Sequence, residues 1–293
     1  MKQKEINSKI ILKIFGGILL VFCVAWTVWR IVKSIQHSTS LSAYHHAVET
    51  LDIKDYERLM QEATKYNDVL YQTQGMYVLG ITDKYLTDEI YQKMLRVEKS
   101  EVMARINIPK INIKLPIYHG TSDEVLANGI GHLSTSSLPV GGKNTRTILT
   151  GHRGMAQSDM FTRLDELEVD DLIFIEILNE RLAYAVTDKQ VILPEETEML
   201  NIVANEDILT LVTCTPIYTN THRLIVNAKR IDYVANMENN QNKIIFPKNL
   251  FVLVAYLMPV IAMGLLIYFI DDRLDAKKRK ERGGFSGKET KWY

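Results

Sequence analysis

From about residue 101 the chain alternates apolar and polar positions with a period of two. Ile106 and Ile108, then Ile111, Ile113 and Leu115, are interleaved with Asn107, Asn112 and Lys114, and Pro109 and Pro116 punctuate them. Further runs of this kind fall at 145–150, 172–178, 182–187, 208–214 and 224–231, with "PVGGKN" and "LNER" as turns. A short strand with one apolar face must bury it against a second sheet or by closing on itself, so the pattern predicts a mainly β domain, an antiparallel barrel or sandwich. Upstream the period is helical. In "YERLMQEATKYNDVLY" Leu59, Met60, Ala63, Tyr66 and Leu70 share one face, which predicts a helical N-terminal segment over 33–100. "SDMFTRLDELEVDD" predicts a short helix with Met160, Phe161, Leu164 and Leu167 on one face.

Two apolar runs lie outside this region. "LFVLVAYLMPVIAMGLLIYFI", 250–270, carries no charge and has the length of about 20 residues that a helix needs to cross a bilayer, where Pro259 is tolerable. "IFGGILLVFCVAWTVW", 14–29, is shorter and follows lysines, so a cleaved signal peptide is its rival. It lacks a small-x-small cleavage site, and 14–32 is expected to stay as an anchor.

The formal net charge of +0 hides basic residues crowded at both ends, Lys2, Lys4, Lys9 and Lys13 at one and Lys277, Lys278, Arg279, Lys280 and Arg282 at the other. The second cluster puts the C-terminus in the cytoplasm, and two spans put the N-terminus there too. The expected organisation is a cytoplasmic N-terminus at 1–13, a first span at 14–32 and the external helical segment at 33–100. A β domain at 101–234, a linker at 235–249, a second span at 250–270 and a basic cytoplasmic tail at 271–293 complete it. No basic stretch reads as a nucleic-acid groove.

This layout isolates a thiol. The chain has two cysteines, and Cys23 inside the first span cannot reach Cys214 in the external domain. An unpaired cysteine outside the cell is a small core residue, an intermolecular partner or a reactive group. "LTLVTC" puts Cys214 at a strand end, and "RLIVNAKRI" resumes the alternation after a loop. If the two strands pair, Arg223 lies near Cys214, where a guanidinium can favour a thiolate and donate to a developing oxyanion. A proton donor for the leaving group is also needed. Among seven histidines, His152 in "TRTILTGHRG" stands just past a strand end between Gly151 and Gly154. His222 is a rival beside Arg223, His119 and His132 are equally open to structural roles, and His45 and His46 are expected to be solvated. No cluster of histidines and carboxylates has metal-ligand spacing, so neither metal nor cofactor is expected.

"TLVTC" followed by "HR", with "TGHRG" upstream, resembles the sortase signature. The likeness extends over 104–231, where "LPIYHGTSDEVLANGIGHLSTSSLPVGGKNTRTILTGHRG" is similar to the pilin-polymerising class C branch. The resemblance implies a closed eight-stranded sortase-type β-barrel with short helices, anchored by a transmembrane helix at each end. It implies Cys214 as nucleophile, His152 as general acid and base, Arg223 as oxyanion stabiliser and Thr213 as a residue that shapes the substrate site. The implied partners are pilin subunits bearing Leu-Pro-x-Thr-Gly-like signals and acceptor lysines. Class C sortases usually carry an Asp-Pro-aromatic lid motif upstream of the barrel. This chain has no proline before Pro109, so a lid is either absent or built from other residues within 78–96. The rival readings are a wall-attaching sortase, a hydrolytic cysteine peptidase and a non-catalytic pilus-assembly scaffold.

Overall fold

The computed structural model describes residues 2–77, 86–154, 159–234, 237 and 264. In chain order the helices are α1 (Lys2–Glu49), α2 (Ile53–Tyr77), α3 (Asp88–Tyr91) and α4 (Asp123–Asn128). The strands are β1 (Val102–Ile108), β2 (Ile113–His119), β3 (Ile130–His132), β4 (Thr145–Thr150), β5 (Leu172–Ile177), β6 (Glu180–Ile192), β7 (Asp207–Thr215) and β8 (His222–Ile231). They close into a barrel in the order β1-β2-β3-β4-β7-β8-β6-β5.

The barrel matches the expected eight strands, with three local differences. β3 has three residues and no alternation of its own. It exists because it adds in parallel to β2, Ile117 opposite Ile130, and antiparallel to β4. The stretch around Leu164 is a single 3-10 turn, Leu164–Glu166, where a helix was predicted. Met160, Phe161, Leu164 and Leu167 are nonetheless all buried, so the pattern reported burial correctly and the backbone form wrongly. Strand β5 stops at Ile177, because Leu178 takes a left-handed φ of 48° to start the turn into β6.

β4 and β7 run parallel, pairing Thr145 with Asp207 through to Thr150 with Val212, and β7 and β8 run antiparallel, pairing Ile208 with Lys229 through to Thr215 with His222. Strands β4 and β8 thus flank β7, β4 as far as Val212 and β8 as far as Thr215. Leu209 and Leu211 enter the core from one face of β7, as do Val226 and Ala228 of β8, and all four are fully buried. Removing one such side chain from water contributes about 1.5–3 kcal/mol.

The chain divides into two units, Met1–Arg30 with Ile245–Tyr293, and Ile31–Ile244. In the second, the end of α1 and all of α2 lie on the barrel as the helical pattern predicts. Leu59, Ala63, Tyr66 and Leu70 join the barrel residues in one core cluster, with Met60 packed at its edge. Polar contacts fix the docking: Tyr44 Oη donates to the Met103 carbonyl and accepts from Leu178 N–H, and the Asn67 amide both donates to and accepts from the Leu138 backbone. His46 is exposed, but His45, also expected to be solvated, is half-buried with Nε2 3.3 Å from Arg105 Nη1. Strand β1 presents that arginine to α1.

In the first unit, the apolar stretch 14–29 lies within α1, and Ile14, Phe15, Ile18, Val21, Phe22 and Val24 are exposed. Among the described residues no helix is long and apolar enough to cross a membrane. Apart from Gly264, the second apolar run, 250–270, lies outside the described residues, as does most of the linker expected at 235–249.

Candidate active site

Strand β7 emerges from the core at its C-terminal end. Thr213 is 1% exposed and Cys214, the next residue, is only partly buried and makes no disulfide. In the antiparallel pairing with β8, Cys214 stands directly opposite Arg223. Directly opposed residues project from the same face with Cβ atoms about 4.5–5.5 Å apart, so register sets the two side chains off side by side. Strand parity also sets His222, the rival of His152, apart from Arg223. His222 opposes Thr215 and projects from the other face, its Nδ1 2.9 Å from Thr221 Oγ1.

His152 reaches the same place by the parallel ladder. The last β4–β7 pair is Thr150 with Val212, and the ladder continues: Gly151 N–H donates to the Val212 carbonyl at 3.2 Å and Thr213 Oγ1 donates to the Gly151 carbonyl at 2.7 Å. His152 follows Gly151 in the chain as Cys214 follows Thr213. The His152 carbonyl accepts from Phe161 N–H at 3.1 Å. Gly151 is required by close packing, since a Cβ there would lie 2.7 Å from Ile130 Cδ1 and 2.9 Å from Phe161 Cδ2.

Arg223 is held from the loop side. Its Nη1 donates to the carbonyls of Asn220 at 3.0 Å and His222 at 3.1 Å, while Nε and Nη2 have no hydrogen-bond partner among the described residues. Thr213 is brought to the site but faces inward, and its hydroxyl acts through the Gly151 carbonyl. Among the described residues no group of three or more His, Cys, Asp or Glu side chains has the arrangement of a metal site.

His119 and His132 belong to a different cluster. His132 is fully buried, with Nδ1 2.9 Å from Tyr91 Oη and Nε2 2.9 Å from the Ser137 carbonyl, and burial pushes its pKa down to about 4. Neutral His132 therefore donates through Nε2 to Ser137 and accepts from Tyr91. His119 stacks edge-on against Tyr91, and burial lowers its pKa as well. This packing involves half of the segment in which a lid was sought. Leu86, Tyr91 and Leu95 are buried, and 78–85 lie outside the described residues.

Comparison with known proteins identifies the family. The sortase domain family matches residues 106–231, which run from β1 to the end of β8. The structure of sortase C1 from Streptococcus agalactiae is 41% identical, covering 65% of this chain and 97% of that one with a TM-score of 0.59. Sortase C from Clostridium perfringens is 36% identical over 67% of this chain and 100% of its own, with a TM-score of 0.58. Among curated proteins, sortase D of Bacillus subtilis is 28% identical over 152 residues, 50% of this chain and 74% of that protein. The chain belongs to the sortase family. It is a cysteine transpeptidase by that membership, and its structural relatives are class C sortases.

Sequence reasoning missed the contacts that surround these residues in the sortase barrel. Arg153 donates to Thr215 Oγ1, and Gly154, with φ +76°, lies so close to the β7–β8 loop that a Cβ would be 2.5 Å from Ile217 Cγ2. The only signal was the pair of glycines flanking "HR" in "TGHRG", which marks a tight approach without naming its partner.

Proposed function

We propose that this sortase cleaves a Leu-Pro-x-Thr-Gly-like signal between Thr and Gly and transfers the acyl group to a lysine amine of another pilin subunit. The Cys214 thiolate attacks the threonine carbonyl. Arg223, through the nitrogens not held by its loop, stabilises the oxyanion, and protonated His152 donates to the departing glycine amine. A thioacyl enzyme remains. The lysine amine then attacks it, His152 takes up the proton, and an isopeptide bond forms as the thiolate is released. Thr213 shapes the site by holding Gly151, and with it the start of the His152 loop.

The observation that supports this reading is the register of β7: Cys214 is opposite Arg223 on β8, and β4 pairs with β7 up to Thr150 and Val212, two residues before His152 and Cys214. Higher identity to sortase C structures than to curated sortase A proteins supports pilin polymerisation over wall attachment, two roles that differ in the acceptor amine. The exposed apolar side chains at 14–29 and the uncharged run at 250–270, each beside lysines and arginines, support anchoring in the membrane at both ends with the barrel outside and both termini inside. Anchored enzyme and anchored pilin meet at a raised effective concentration.

The test is to incubate the full chain with a pilin bearing the signal. Wild type is expected to give a thioacyl adduct and a polymer ladder whose linkage is an isopeptide by mass spectrometry, and Cys214→Ala neither. Polymerisation that persists in Cys214→Ala overturns the reading, and a free-acid product regardless of amine acceptor points to a hydrolase.

A further inference from the structure

We infer that Arg153 is a positioning residue for the transfer reaction, clamping the loop that carries His152 to the strand that carries Cys214. The inference rests on the roles proposed above for those two residues. Arg153 is the immediate neighbour of His152, and Thr215 is the immediate neighbour of Cys214. The Arg153 side chain, 10% exposed, joins them: Nη1 donates to Thr215 Oγ1 at 2.7 Å, Nη2 pairs with Asp165 Oδ1 at 3.0 Å, and Nε reaches the Thr162 carbonyl at 3.4 Å. One planar group thus ties together the end of β7, the 3-10 turn at Leu164–Glu166 and the chain leading into that turn.

Parity explains why Arg153 does not touch the thiol. Thr215 and Cys214 are neighbours on β7 and project from opposite faces, so the hydrogen bond from Arg153 to Thr215 closes behind the strand, on the face away from the thiol. Two further contacts tighten the same joint. Gly154 N–H donates to Thr162 Oγ1 at 3.0 Å, and Gly154 packs directly on Ile217 of the β7–β8 loop. An ion pair to Asp165, which is 52% exposed, stabilises little by itself. What distinguishes Arg153 is the short hydrogen bond to the residue after the nucleophile. Its loss frees the His152 loop to shift relative to β7, and a shift of about 1 Å between reacting groups costs on the order of 100-fold in rate. Lysine carries the charge without the planar fork and restores the joint only in part.

The experiment compares the full chain in detergent as wild type, Arg153→Gln, Arg153→Lys, Thr215→Val, His152→Ala and Cys214→Ala. It measures kcat and KM on a quenched Leu-Pro-Glu-Thr-Gly peptide and the thermal midpoint. It also measures the pH profile of iodoacetamide alkylation at Cys214, read by peptide mass spectrometry so that Cys23 does not contribute. Arg153→Gln is expected to lower kcat about 100-fold with KM changed less than about threefold, and to give the alkylation profile of His152→Ala. Arg153→Lys and Thr215→Val are expected to fall between it and wild type. A wild-type kcat and profile in Arg153→Gln overturns the inference, as does a kcat loss that only follows the loss of folded protein. If the peptide is not turned over at all, the alkylation profiles decide alone by the same criterion. Turnover by Cys214→Ala is a separate result, which removes the nucleophile assignment itself.

Discussion

Strands β4, β7 and β8 run between two polar clusters, one at each end of the same ladder, and the two are built to opposite ends. At the start of β7, Asp207 accepts from Gly142 N–H at 2.8 Å, from Tyr184 Oη at 3.1 Å and from Thr145 Oγ1 at 3.4 Å, and faces Arg230 Nη1 at 3.7 Å. Gly141 takes a φ of +70° there, a backbone conformation that a residue with a Cβ adopts only under strain. Burial raises the Asp207 pKa while these partners oppose the shift. At the far end of β7, Cys214 makes no disulfide and Arg223 keeps two nitrogens without a partner among the described residues. The closed cluster uses its hydrogen-bonding capacity to hold the barrel. The open one holds its backbone just as firmly, through the Gly151 and Thr213 contacts, but leaves its reactive groups unspent. Pre-organised donors with free capacity are what transition-state stabilisation requires.

Mutations that act differently at the two ends test this contrast. Arg223→Lys is the most severe: it removes a planar donor pair from the open end, and kcat on the quenched peptide is expected to fall about 10²–10³-fold with the thermal midpoint nearly unchanged. An equal loss of stability would erase the distinction between the clusters. His132 provides a second measure, apart from both ends. Its folded pKa of about 4 lies below the unfolded value of 6.5, so the folded state binds fewer protons between them. The stability it contributes is present above about pH 6.5 and is lost as the pH falls to about 4, by about 3 kcal/mol. Urea midpoints at pH 7 and pH 4.5 should reveal this slope, and His132→Gln should flatten it.

At the closed end, Asp207→Ala leaves the Gly142 N–H and the Tyr184 hydroxyl without their acceptor. It is expected to cost about 1–3 kcal/mol in urea unfolding, with kcat per folded molecule unchanged. A fall in kcat there instead would show that the two ends are coupled through β7. The smallest expected effect is Gly154→Ala, where a side chain at φ +76° also meets Ile217. A roughly tenfold fall in kcat with a destabilisation of only about 1–2 kcal/mol is expected, and an unchanged kcat would mean that the open end tolerates displacement of its loop.

The same contrast explains what the residues alone made legible. Alternation exposed seven of the eight strands, and β3 escaped because three residues borrowed into a sheet have no period to detect. Cys214 and Arg223 were readable because one hairpin sets their register, a local property. His152 depended on the parallel pairing of β4 with β7, which joins segments about 60 residues apart and has no local sequence signature. The family likeness, not spacing, singled it out. Arg153, Thr215 and Ile217 were invisible for the same reason. The helix expected within 158–171 failed in form because a single apolar face is consistent with any compact turn that buries it.

The central claim, that the thiol of Cys214 takes up the acyl group with His152 and Arg223 as its partners, is tested most directly by peptide mass spectrometry. The full chain is quenched during turnover of a Leu-Pro-Glu-Thr-Gly peptide. The account predicts the mass of Leu-Pro-Glu-Thr added to the fragment containing Cys214 in wild type, a greatly reduced adduct in His152→Ala and Arg223→Ala, and none in Cys214→Ala. Turnover without an adduct on Cys214, or the wild-type amount of adduct in both partner variants, contradicts it.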